Sequence, residues 1–264
     1  MHTYLSHDGH ETPADMAAAA RAAGMAEICV TDHCDVAGWQ DFLPTDADRH
    51  VPRDVIAACD ALEREAPPGI PVRRGIELGE AHLNPLRALE FAAVPGLDFV
   101  IGSLHMLRGA GDFFVIRYES EAHCRALVDA YLDQCLEVAK LNFFDVFGHI
   151  DYFRRYMSRQ GFGTRLDLSR WGDKIETLLT VLIQNGKGIE LNTSGVRDGL
   201  DFFPDAPVLR LYRALGGEIV TVGSDAHFAE NAGQNVADGY ALLRTLGFQY
   251  VSVFRERKPA FIKL

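Results

Sequence analysis

The sequence predicts an α/β fold of parallel strands joined by crossover helices. Three observations predict it. Short apolar runs bounded by breakers alternate with amphipathic stretches along the chain. Many of the apolar runs carry no polar alternation, as expected of strands covered on both faces. No Gly/Ser/Pro-rich linker or low-complexity segment interrupts the alternation, so residues 1–264 read as one domain.

Thr12-Pro13-Ala14-Asp15 combines an N-cap, a proline at the first helical position and an acid in the first turn, and Gly24 closes that helix. The run Glu27-Ile28-Cys29-Val30-Thr31 follows as a strand and ends at Asp32-His33. Helix 53–65 then leads to strand 71–77, helix 86–93 to strand 98–104, and the long amphipathic helix 119–141 to strand 144–148. Helix 171–185 leads to strand 187–192, helix 207–215 to strand 218–223, and helix 235–246 to a last run at 249–254. A closed barrel and an open doubly wound sheet both satisfy this order. Both gather chemistry where strand C-termini meet the next loop.

Composition narrows the class. With 264 residues, 48% hydrophobic and 24% charged, the chain can bury one large core, and disordered and collagenous classes are excluded. No run reaches the roughly 18 apolar residues of a membrane span, and MHTYLSHDGHET has neither the basic nor the apolar region of a secretory signal. A net charge of −11 without a basic stripe argues against nucleic acid as a partner, leaving room for a local cationic pocket. Cys29, Cys34, Cys59, Cys124 and Cys135 form no CxxC and read as reduced core thiols, pointing to the cytoplasm.

Ionisable residues fall at successive strand ends: His33, Glu77, His105, His149, Glu190 and then Asp225 with His227. Their spacings of 44, 28, 44, 41 and 35 residues are each about one βα unit. A lone histidine at a strand end is usually a hydrogen-bonded structural residue. A series of them converging on one mouth is a metal site, because little else compensates the desolvation of so many imidazoles and carboxylates. His10, His50, His82 and His123 lie off the strand ends and read as structural, as does Cys34. GxxxxGK[ST], GxSxG, HExxH and a GxGxxG following a strand are all absent.

HTxxSxDG at the start, TDH, an isolated Glu, SxH, GHID and GSDAH together resemble the polymerase-and-histidinol-phosphatase (PHP) superfamily of metal-dependent phosphoesterases, in order from His2 to His227. The stretch ELNTSGVR ahead of GSDAH is similar to its histidinol-phosphate phosphatase branch. The resemblance implies a distorted (β/α)7 barrel with two or three divalent ions (Zn, Mn or Fe) at the C-terminal mouth. It implies that Glu77 bridges two ions, one also held by His105 and His149 and another by His2 and Asp225. A third would take Asp8, or His7 if the register slips by one, with His33 and His227. The superfamily opens with His-x-His or Asp-x-His after several strand residues, whereas His2 follows Met1 directly. The expectation is a first strand truncated by a start assigned too late.

The implied activity is hydrolysis of a small phosphomonoester, L-histidinol phosphate in histidine biosynthesis, with Glu77, Asp225 and His227 at the reaction centre. A PHP phosphoesterase of other substrate, or a non-catalytic metal- or phosphate-binding relative, is the alternative. Arg197, just past the sixth strand, is placed to clamp the phosphate, with Arg154, Arg155 and Asn192 as further contacts. Asp151, Glu119 and Asp198 are the acids able to meet the substrate's amine or imidazole.

Overall fold

The computed structural model describes residues 1–36, 51–65, 68–163 and 165–264; His50 lies outside them. In chain order the elements begin α1 (Pro13–Ala22), β1 (Ile28–His33), α2 (Pro52–Glu65), β2 (Val72–Gly79), α3 (Pro85–Ala92), β3 (Phe99–Ser103), β4 (Met106–Leu107) and β5 (Gly111–Asp112). They continue with α4 (Glu121–Leu141), β6 (Val146–Phe147), α5 (Phe153–Arg159), α6 (Leu168–Gln184), β7 (Gly188–Asn192), α7 (Ala206–Ala214), β8 (Val220–Gly223), α8 (Val236–Thr245), β9 (Tyr250–Arg255) and β10 (Lys258–Lys263).

The expected parallel α/β architecture is present. Among the described residues six strands pair in parallel in the order β1-β2-β3-β6-β7-β8, curled into an incomplete barrel with helices outside. Strands β3 and β7 are buried at every position, which explains their unbroken apolar runs. The helices start where caps dictate. Thr12 and Asp15 form a reciprocal capping box on α1, Ser120 caps α4, and Asp167 caps α6. One side of α4 (Leu127, Tyr131, Leu132) and one side of α6 (Trp171, Ile175, Leu178) are buried in the same core.

Strands β1 and β8 do not pair with each other. A largely apolar cavity of about 640 Å³ lies between them, reached by Ile28, Cys29, Thr31, Val222 and Phe254. Met1 and His2 bridge its upper end: Thr31 N donates to Met1 O at 2.8 Å and His2 N to Ala226 O at 2.8 Å. The register that matters for function pairs His33 of β1 with Glu77 of β2, bringing both side chains to the same level of the mouth.

The run at 249–254 departs from the alternation. As β9 it pairs antiparallel with β10 outside the barrel sheet, because Glu256 and Arg257 (φ 49° and 65°) turn the chain straight back. That hairpin is latched beneath the barrel. Arg257 Nε donates to Asp145 Oδ2 at 2.5 Å, and its two amino groups donate to Ala92 O at 2.8 Å and Phe143 O at 3.0 Å. Asp145 is 5% exposed and would keep Val100 N as a donor to Oδ2, so Arg257→Ala removes its charged partner and should cost about 2 kcal/mol. Denaturant unfolding measures it, and a loss below about 1 kcal/mol would mean the latch is incidental.

Candidate metal centre

Glu77, at the end of β2 and 3% exposed, is the middle of the site. Its Oε1 lies 2.9 Å from His149 Nε2 and 3.1 Å from His105 Nε2; its Oε2 lies 3.3 Å from His2 Nε2 and 3.7 Å from His33 Nδ1. Each imidazole arrives from a different strand end or, for His2, from the chain start. Two acids flank the core of the cluster. Asp225 Oδ1 is 3.3 Å from His2 Nε2, and Asp8 lies between His33 Nε2 (3.7 Å) and His227 Nε2 (3.2 Å). His7 Nε2 is beside the same Asp8 carboxylate at 3.9 Å, so Asp8 is the residue central to that corner.

Several sets of three can each converge on one ion: Glu77, His105 and His149; His2, His33 and His227; His7, Asp8 and His33; His33, Asp35 and His105. Some ring nitrogens of the cluster face one another or lack a hydrogen bond. His105 Nε2 faces His149 Nε2 at 3.3 Å, and His33 Nδ1 and His227 Nε2 are buried with no hydrogen bond. Lone pairs converging in this way, with a shared carboxylate, fit a divalent cation such as Zn, Mn or Fe.

The protonation of the metal-free cluster carries the same signature. Burial opposes charge on His2, but its bonds to Asp225 and Glu77 outweigh that and lift its pKa to about 10. His105 is likewise raised against burial by Glu77. Burial, with the neighbouring His2 charge, pushes His33 down to about 3. Glu77 and Asp225, despite burial, are held well below the usual carboxylate range by the surrounding histidines. Protons occupy positions that a cation would otherwise neutralise.

The mouth opens into a cleft of about 260 Å³ bearing Asp8, His33, His105, Arg155, Asp225 and His227. Of the arginines read from the sequence, Arg155 lines it. Arg197 does not: its two amino groups donate to Ser224 O and Asp225 O, both at 2.8 Å, tying down a loop in which Asp225 has φ 49°. Arg154 is buried against Asp151 at 2.8 Å, and Asn192 is buried between Glu190 Oε2 and Ser194 N. Glu190 stands behind His149, with burial raising its pKa to about 7.

The three expected acids are elsewhere. Asp151 is paired with Arg154, Asp198 is held by Arg155 and Arg159, and Glu119 sits at the exposed start of α4. The cleft instead presents Asp35, Glu80 and Asp112, beside an aromatic wall of Phe114, Tyr152 and Tyr156, and Arg159 at its rim. Arg159 was legible as the residue one helical turn beyond Arg155; the three acids carry no motif. His82 bonds Gln134, His123 lies in the first turn of α4, and His10 stacks on Phe228, all away from Glu77. Cys34 is a fully buried thiol, as expected.

The chain is similar to known proteins of one family. The PHP domain model matches residues 1–194. A probable histidinol-phosphatase of Deinococcus radiodurans is 32% identical over 98% of this chain and 96% of its own. The histidinol-phosphatase of Lactococcus lactis is 28% identical over 97% and 93%. A crystal structure of the Lactococcus lactis histidinol phosphate phosphatase, complexed with zinc, L-histidinol and phosphate, superposes with a TM-score of 0.77 at 24% identity, covering 98% of this chain and 97% of that one.

The raised pKa of His2 has a measurable consequence. In the metal-free protein its stabilising charge is fully present below pH 6.5 and is lost as pH rises towards about 10. At pH 7.5 a cation binding His2 must therefore displace a proton. Zinc titration calorimetry in buffers of different ionisation enthalpy should show release of at least about one proton per chain. Binding without proton release would contradict the assignment.

Proposed function

The chain belongs to the PHP domain family, and on that premise we propose that it is a metal-dependent phosphomonoesterase whose substrate is L-histidinol phosphate. The observation that carries the reading is the convergence of four imidazoles on Glu77 at the floor of a small cleft with a cationic wall. Full-length similarity to relatives named histidinol-phosphatase supports the substrate. A cleft of about 260 Å³ suits a small phosphate ester and not a polymer.

In this reading two or three divalent ions, Zn, Mn or Fe, would be held by Glu77 with His105 and His149, by Glu77 and His2 with Asp225, and by Asp8 with His33 and His227. When bound, they supply Lewis acidity towards the phosphoryl oxygens and an acidified water. The chain's own residues do the rest. Arg155 binds the phosphate; its direction is set by Asp198, which accepts from Nε at 2.9 Å, and by Ser194. Arg159, on the same Asp198 at 2.7 Å, adds positive charge at the rim. Arg197 keeps Asp225 aimed at His2 and does not touch substrate. The substrate's imidazole lies along Phe114, Tyr152 and Tyr156, and Asp112 with Asp35 receives its cationic groups. Glu80, raised by burial and by the Asp35 charge, shares that end.

Phosphate release from L-histidinol phosphate, compared with sugar phosphates and p-nitrophenyl phosphate, tests the substrate. A strong preference for L-histidinol phosphate is expected, and equal turnover of unrelated esters would contradict it. Arg155→Ala should lower kcat/KM roughly 10- to 200-fold and raise the inhibition constant of phosphate in proportion, with metal content unchanged. Arg197→Ala should instead reduce metal retention, and Arg197→Lys should not restore it, because an ammonium cannot span two carbonyls. Wild-type phosphate inhibition in Arg155→Ala would remove that residue from the phosphate site.

A further inference from the structure

We propose that Ser6 is a positioning residue that dictates which nitrogen of His2 faces the metal centre, an inference that rests on the metal-centre reading above. The case is a proton count. Asp32, fully buried at the end of β1, accepts through Oδ1 from Thr3 N at 2.5 Å and through Oδ2 from Thr3 Oγ1 at 2.8 Å. Ser6 Oγ sits 2.8 Å from the same Oδ1. A carboxylate that accepts from Thr3 on both oxygens has only lone pairs to offer, so the single Ser6 proton points at Asp32. Ser6 Oγ is then left with two lone pairs. One takes His33 N at 3.1 Å, and the other faces His2 Nδ1 at 3.0 Å.

With its hydroxyl proton committed, Ser6 can only accept from His2. Nδ1 therefore carries a proton, and Nε2 is the nitrogen turned to Glu77 and Asp225. One hydroxyl thus sets the nitrogen of His2 that ligates and anchors the backbone of His33, the next imidazole of the cluster. His227 reaches the same state by another route, since its Nδ1 lies 3.1 Å from the Asp225 carbonyl and its Nε2 faces Asp8 at 3.2 Å. Ser6 and Asp32 lie in HTxxSxDG and TDH, and neither touches the cleft.

Zinc affinity, measured by competition with a chromophoric chelator on the folded protein, tests the proposal. Ser6→Ala should weaken the tightest affected site by about 10- to 100-fold, the usual cost of losing a group that orients a ligating histidine. Asp32→Asn should weaken it less, because an amide oxygen still accepts from Thr3 N and Ser6 and leaves the hydroxyl pointing the same way. A purely electrostatic or packing role predicts the opposite order. In zinc-loaded protein labelled with nitrogen-15 at histidine, the His2 ring, identified by its absence in His2→Ala, should show a slowly exchanging proton on Nδ1. That proton should exchange rapidly in Ser6→Ala. Wild-type zinc affinity in Ser6→Ala, a larger loss in Asp32→Asn, or a His2 proton on Nε2 would each overturn the proposal. Failure of the wild-type protein to bind zinc would overturn the metal-centre reading itself.

Discussion

A single buried carboxylate, Glu77, organises the molecule. Four imidazole nitrogens lie within 3.7 Å of its two oxygens, and Glu77 itself is 3% exposed. Neither the carboxylate nor the histidines would be stable there alone, since burying unpaired ionisable groups costs several kcal/mol each. They are stable together because strand register brings them level: His33 opposite Glu77 between β1 and β2, and Glu77 opposite Ile101 between β2 and β3. The parallel sheet, its crossover helices and the latch under β9 and β10 keep that register.

The polar chemistry sits at one end of the barrel and the apolar void at the other. The larger cavity, between β1 and β8, reaches the cluster from beneath through His2, Glu77 and Asp225, but its walls are mainly aliphatic and aromatic. The larger cavity also carries Arg73, Arg244, Arg255 and Lys263, whereas the smaller cleft above sets Arg155 beside Asp8, Asp225 and His227 of the cluster, against the aromatic wall.

Much of the site was legible in the sequence because a βα repeat places strand ends at regular intervals, and an ionisable residue at each one is a periodic signal. His33, Glu77, His105, His149, Asp225 and His227 all arrive at one mouth for that reason. Direction of side chains was not legible. Arg197 follows β7 as its sequence position implies, yet its guanidinium is consumed by Ser224 and Asp225 carbonyls outside the cleft, and Arg155, a helical residue, faces the cleft. Asn192 turns inward to join Glu190 to Ser194. Asp112 was invisible because it lies in a two-residue strand whose pairing with β4 depends on tertiary contacts. The β9–β10 hairpin broke the alternation through two left-handed residues, neither a glycine, that give no turn signature.

If Glu77 is the shared ligand at the heart of the cluster, the most direct measurement is metal content per chain, by elemental analysis, for the wild type and Glu77→Gln. Both would be saturated with zinc, manganese or iron and freed of loose ions by gel filtration. Two or three ions per wild-type chain are expected, with at least one lost in Glu77→Gln while the fold is retained. Equal occupancy in the two proteins, or none in either, would contradict the account.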